Sequence, residues 1–194
     1  MGERLFAALW PPADLVEELD FFLAPRREAE ARLRWTRPET WHVTLVFMGD
    51  VDDWHADRLV EGLAAVAART PPFGLGLTGG GAFPWPLQTK NLWLGADAGV
   101  QPLTQLAERS RNAAVKAGVR IDGARFTPHL TLARANRPLD STRLIRVLDT
   151  FVAPPWEVRE TVLVASHLHD RANRFEVVER FALTGGPARE TDEA

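Results

Sequence analysis

Two of the five histidines head the same pattern: residues 41 to 48 read WHVTLVFM, and residues 128 to 134 read PHLTLAR. Side chains alternate across an extended strand, so His42 and Thr44 share one face while Val43 and Leu45 share the other. His129 and Thr131 stand in the same relation to Leu130 and Leu132. Each motif is an apolar anchor carrying a polar pair, and two such strands facing each other would present two imidazoles and two hydroxyls to one small volume. Imidazole titrates near neutral pH, so one ring can take a proton from an attacking water while the other gives one to a leaving alkoxide. The threonine hydroxyls can donate to the non-bridging oxygens of a phosphate and stabilise its pentacovalent transition state without a metal. That is the chemistry of phosphodiester hydrolysis. One isolated His-x-Thr-Leu reads more simply as a strand histidine bonded to its own threonine or to a carbonyl; the repetition favours function. Which histidine is the acid and which the base is left open by the symmetry of the motifs.

The elements that must position these residues follow from periodicity. Strands are expected at Arg4 to Trp10, Val43 to Met48 (closed by Gly49-Asp50), Phe73 to Thr78, Asn91 to Gly95, His129 to Ala135, Glu157 to Leu168 and Arg174 to Leu183. Helices are expected at Asp14 to Leu33, with Pro25 as a candidate break, at Asp53 to Arg69 behind a cap at Asp52 or Asp53, at Leu103 to Ala117 ended by Gly118, and at Ser141 to Phe151. Gly79 to Gly81 read as a turn or bulge, because they lack the spacing of a phosphate loop. Asp122-Gly123 read as a loop and Asp170 to Asn173 as a turn. The order describes two similar halves, each holding one His-x-Thr strand, with no linker between them. The expected fold is therefore one bilobal α+β domain over residues 1–186, each half an antiparallel sheet with helices packed outside, and a cleft between the sheets. Residues 187–194 read as a frayed tail.

Composition narrows the partners. At 194 residues and 45% hydrophobic, the chain can bury a sizeable core. A net charge of −3 argues against coating long nucleic acid, and leaves room for a local basic cleft that grips a phosphate at an RNA end. Only Lys90 and Lys116 among the 23 basic residues are lysines, so the positive charge is almost all guanidinium, suited to bidentate phosphate contacts. Cysteine is absent, which removes disulfides, thiolate catalysis and cysteine-rich zinc sites. No signal-peptide order and no apolar run near about 18 residues is present, so a cytoplasmic location with no membrane is expected.

Other candidates compete with plainer readings. Arg134 follows the second motif and could hold a phosphate, but strict alternation puts it on the face opposite His129, so that role requires a bend. Phe47, Phe126 and Trp93 could stack a nucleobase, against core packing of each ring. Trp10, Trp35 and Trp41 read as core or cleft wall. His167-x-His169 with Asp170 lacks further ligands at metal-site spacing, and His55 reads as a solvated helix residue.

The paired motifs, with RLFAAL at the start, WHVTLVFMGD, GAFP leading to NLWLG, FTPHLTLAR and the paired final strands, resemble the two-histidine (2H) phosphoesterases. Within them the likeness is to the bacterial LigT-like RNA 2′,3′-cyclic phosphodiesterases, also called 2′-5′ RNA ligases, and it spans nearly the whole chain. The resemblance implies both motifs lining a central cleft, no metal and no other cofactor. It implies opening of a 2′,3′-cyclic phosphate, on an RNA 3′ end or a small cyclic nucleotide, to leave a 2′-phosphate, and in some members 2′-5′ joining of RNA ends. It makes His42 the proton donor and His129 the acceptor, and matches Arg134 to an arginine after the second motif. A monomer is expected. One departure is Phe175, where such proteins often carry a tyrosine; this chain has none. The alternative reading is a non-catalytic nucleotide- or RNA-binding module of the same fold.

Overall fold

Leu5, Phe6, Ala7, Ala8 and Leu9 are all buried, so the first strand, β1 (Glu3–Leu9), is covered on both faces. The computed structural model describes residues 3–122, 126–167 and 174–186. The helix that follows, α1 (Ala13–Ala29), buries Leu15, Leu19 and Leu23 at four-residue spacing and runs through Pro25 without a break. It stops short of the expected Leu33, because Leu33 is drawn into a ladder against Ala135 as the first residue of β2 (Leu33–Trp35), a strand the helical spacing concealed.

β3 (Val43–Val51) continues through Gly49 and Asp50, and α2 (Asp53–Ala67) starts behind Asp52, whose carboxylate accepts the His55 N–H at 3.0 Å. The expected strand at 73–78 is two, β4 (Phe73–Leu75) and β5 (Leu77–Phe83); Gly79, at φ 77, forms a bulge and the glycines after it stay in the strand. β6 (Thr89–Ala96) leads into α3 (Val100–Lys116), which Gly118 closes at φ 84. The segment read as a loop at Asp122 contributes β7 (Ile121–Asp122). β8 (His129–Leu139) outruns its expected end, and α4 (Thr142–Leu148) is shorter than expected. The strand expected from Glu157 divides at Arg159 into β9 (Trp156–Val158), which pairs with β4 as a separate ribbon, and β10 (Glu160–His167), which pairs with β11 (Arg174–Ala182). The turn expected at 170–173 and the tail at 187–194 lie outside the described residues.

The main sheet is antiparallel, in the order β11-β10-β1-β3-β8-β6-β5, with β2 also on β8 and β7 on β3. Its centre is thin: β3 and β8 share one paired rung, Val43 against Leu130. Beyond that rung each strand takes a partner from the other half's approach segment, β7 on β3 and β2 on β8. Two separate sheets were expected; the strands instead form one ladder of two half-sheets joined at a single pair. The α+β class and antiparallel pairing are as expected. α2 and α3 pack on one another, α3 also on β3 and α2 on β10 and β11, over a core that includes Val43, Leu130, Leu63 and Leu103. Among the described residues no helix is long and apolar enough to cross a membrane.

Candidate active site

The joining rung explains why the two motifs meet. Val43 and Leu130 are fully buried on the helix side, so their neighbours in sequence must point the other way. In an antiparallel pair, one step from the rung sets His42 beside Thr131 and Thr44 beside His129. All four side chains line one cavity of about 750 Å³, within the range that takes a nucleotide-sized ligand.

Both motifs then do something alternation does not foresee. Thr44 faces Ala8 and Val46 faces Ala7, leaving Leu45 without a partner on β1; Thr131 faces Trp93 and Ala133 faces Leu92, leaving Leu132 without one on β6. Each is a bulge, and the extra residue resets the alternation. Leu45 and Val46 are both buried, as are Leu132 and Ala133, and the next residues, Phe47 and Arg134, arrive on the cleft side. The objection that Arg134 belongs to the wrong face is removed by this bend. The bulged carbonyl of Leu132 is not orphaned: it accepts the N–H and the hydroxyl of Thr36 at 2.9 and 2.8 Å. Thr36 Oγ1 in turn accepts the indole N–H of buried Trp41 at 2.8 Å, tying the residue before His42 to the opposite strand.

The two imidazoles are held alike. His42 Nδ1 lies 2.7 Å from the Thr40 carbonyl, and His129 Nδ1 lies 2.7 Å from the Thr127 carbonyl. A carbonyl only accepts, so each Nδ1 carries a proton and donates it, and in the neutral ring Nε2 is left as the free base. Burial pushes the His42 imidazole below its usual range against the Thr40 carbonyl, which favours the cation, while the positive charge of His129 and Arg134 lowers it further. Burial likewise lowers His129, opposed by the Thr127 carbonyl. Both rings lean on aromatics: His42 on Phe6 and Phe175 at 4.8 and 5.4 Å between centroids, His129 on Phe83 and Trp93 at 5.0 and 5.9 Å.

The remaining candidates divide. Phe47 lines the cleft and is 49% exposed, open for stacking. Trp93 packs against His129 and Phe83; its ring crosses Gly81 so closely that a Cβ there would lie 2.0 Å from it. Phe126 is half-buried against the core and is not among the described lining of the cleft. Trp35 lines the cleft, Trp41 is core and Trp10 is partly buried beside Phe6. His55 Nδ1 sits 2.5 Å from Asp52, and His167 lies 3.2 Å from Glu176; His169 is outside the described residues. Among the described residues no group of three or more His, Cys, Asp or Glu is placed to hold a metal. Sequence reasoning missed Arg4, Arg34, Arg37 and Ser166, which also line the cleft, and no Asp or Glu is among its described lining.

A model of the 2′-5′ RNA ligase superfamily matches residues 8–170, and the chain belongs to that family. The RNA 2′,3′-cyclic phosphodiesterase of Escherichia coli (strain K12) is 30% identical over 182 residues, covering 94% of this chain and 97% of that protein. The protein of the same name from Aquifex aeolicus (strain VF5) is 28% identical over 165 residues, 82% of this chain and 88% of its own. The crystal structure of E. coli LigT in apo form aligns at TM-score 0.75 and 28% identity, over 94% of this chain and 98% of that one. E. coli LigT complexed with 3′-AMP aligns at TM-score 0.72 and 27% identity, over 95% and 99%.

Proposed function

We propose that the chain hydrolyses a 2′,3′-cyclic phosphate, on an RNA 3′ end or a nucleotide, to a 2′-phosphate and a free 3′-hydroxyl. The observation that carries this is the pair of imidazoles locked by Nδ1 on one face of the Val43–Leu130 rung, each with a threonine hydroxyl from the opposite strand beside it. His129, neutral, takes a proton from water through Nε2 as the oxygen bonds to phosphorus. His42, protonated on both nitrogens, gives its Nε2 proton to the 3′ oxygen as the P–O3′ bond breaks. Thr44 and Thr131 donate to the non-bridging oxygens, and Arg134 adds a fixed positive charge to the same cleft. The water proton ends on His129 and the His42 proton on the product, so exchange with solvent restores the starting state. Assigning the donor to His42 follows the order of the motifs in the family that the chain resembles. Aromatic packing and the carbonyl bonds hold both rings before substrate arrives, which lowers the entropy cost of alignment.

The test is incubation of the protein with a nucleoside 2′,3′-cyclic phosphate and identification of the product by phosphorus NMR. A 2′-phosphate is expected. A 3′-phosphate would keep the two-histidine chemistry and reverse the docking and the donor; binding without turnover would favour the non-catalytic module.

A further inference from the structure

We infer that Arg34, set beside Arg134 across the β2/β8 ladder, binds a second phosphate, the one on the 5′ oxygen of the terminal nucleotide. The cleft thereby prefers an RNA end to a bare nucleoside 2′,3′-cyclic phosphate. This rests on the hydrolytic reading above and adds the substrate class.

Arg34 and Arg134 are directly paired in the antiparallel register. Residues opposite each other in such a ladder share a face with close Cβ atoms, and like charges there are unfavourable. Both side chains are exposed and both line the cleft, and Arg37 lines it just beyond β2. Four arginines on other surfaces have a carboxylate partner: Arg27 with Asp20, Arg32 with Glu30, Arg159 with Glu157 and Arg180 with Glu160. Arg34, two residues from the neutralised Arg32, makes no ion pair with any described residue, and neither does Arg37 or Arg134. A self-repelling pair left without a carboxylate, in a cleft without described acids, is an arrangement that an anion completes.

One phosphate does not use both arginines equally. Arg134 lies near enough to the histidines for its charge to act on His42, so it serves the phosphate that reacts. Arg34 projects from the next strand, about 4.8 Å across the ladder. Two adjacent strands and two arginine side chains span the step from the 3′ side of a ribose to its 5′ phosphate. A nucleoside cyclic phosphate has nothing to place there; a 5′-phosphorylated nucleotide or an oligonucleotide does.

The experiment compares kcat/KM for three substrates: a nucleoside 2′,3′-cyclic phosphate, the same compound with a 5′-phosphate, and a dinucleotide ending in a 2′,3′-cyclic phosphate. The two with a 5′-side phosphate should exceed the first by about tenfold, the scale of one charge-assisted contact at an exposed site. Arg34→Gln should remove most of that advantage and reduce the logarithmic salt slope on the dinucleotide by about 0.7. Arg143→Gln, which removes one exposed charge on α4 away from the cleft, should leave the advantage intact. An advantage confined to the dinucleotide would assign the added contact to the second base and overturn the inference. Equal use of all three substrates, a uniform loss in Arg34→Gln, or an equal effect of Arg143→Gln would overturn it too. If nothing turns over, it is the hydrolytic reading that fails; binding titrations of the same three ligands to wild type and Arg34→Gln then decide the second phosphate by themselves.

Discussion

On one side of the Val43–Leu130 rung the chain reads His-Val-Thr-Leu-Val-Phe, on the other His-Leu-Thr-Leu-Ala-Arg. The halves agree in the carbonyl that holds Nδ1, the buried anchor, the threonine, the bulge after it and the two aromatic rings against each imidazole. They part at the residue the bulge delivers, Phe47 in one half and Arg134 in the other. The flanking strands repeat the pattern, with β7 setting Asp122 opposite Phe47 in register and β2 setting Arg34 opposite Arg134. In the proposed reaction what is duplicated is the proton chemistry, which treats an attacking and a leaving oxygen alike. What differs is recognition, because a nucleotide has a base at one end and phosphates at the other. On that proposal symmetric machinery serves an asymmetric substrate because one position per half, Phe47 or Arg134, breaks the symmetry.

Breaking the duplicated part should cost the most. His42→Ala or His129→Ala should each lower kcat by about 10²- to 10⁴-fold with unchanged circular dichroism. The double variant should lose less than the product of the two, since both rings act on one transition state. A clean product of the two losses would mean that the halves work independently. The unlike part should give smaller and unlike effects. Arg134→Ala should cost about tenfold to a hundredfold in kcat/KM, with a flatter salt dependence. Phe47→Ala should cost about fivefold, near the low end of stacking, and leave the salt dependence unchanged. Equal salt dependence in the two variants would erase the division between ring and guanidinium.

The duplicated part was legible in the sequence because it rests on residue types: imidazole and hydroxyl at a spacing of two, written twice. The unlike part was half legible. Arg134 is a candidate in the sequence only on condition of a bend, since period two has no means of announcing a bulge; the trace the bulge leaves is the apolar doublets Leu45-Val46 and Leu132-Ala133, where alternation should have given one buried residue and one exposed. Phe126, half-buried against the core, was open in the sequence because a ring beside a motif has the same composition whether it faces cleft or core. The carbonyls of Thr40 and Thr127 had no side-chain signature at all, and β2 was hidden by its short length and by Leu33 continuing the spacing of α1. Pairing partners decide such short strands, and pairing is not local.

Acidification should separate the two states of the site. Burial lowers both imidazoles in the folded chain, so below the usual value of 6.5 the unfolded chain takes up protons that the folded one resists. Stability is therefore unaffected by these rings well above pH 6.5 and declines as pH falls from there through the folded values. Urea midpoints measured from pH 7.5 to 5 should fall, and His42→Gln should flatten the fall more than a surface substitution such as Arg143→Gln. The kcat/KM profile, which reports the free protein, should be bell-shaped with its maximum on the acid side of an ordinary imidazole, because one ring must be charged and the other neutral while both are lowered. A maximum above pH 8 would contradict the burial of the pair.

The smallest expected effect concerns Phe175, whose ring meets His42 at 5.4 Å nearly perpendicular and Phe6 at 5.1 Å. It lines the cleft in the half that carries His42 and Phe47, across β10 from β1. Phe175→Tyr adds one hydroxyl to that wall without changing the ring that supports His42. A neutral hydrogen bond to substrate nets about 1 kcal/mol, so KM should fall by about fivefold at most, with kcat close to unchanged, the pattern of binding shared by ground and transition states. The pH profile should stay where it is, because the His42 Nδ1 proton is already committed to the Thr40 carbonyl and the new hydroxyl has no claim on it. A shifted profile with reduced kcat would show instead that the hydroxyl had captured His42, and that this half of the cleft tolerates only an apolar support for its imidazole.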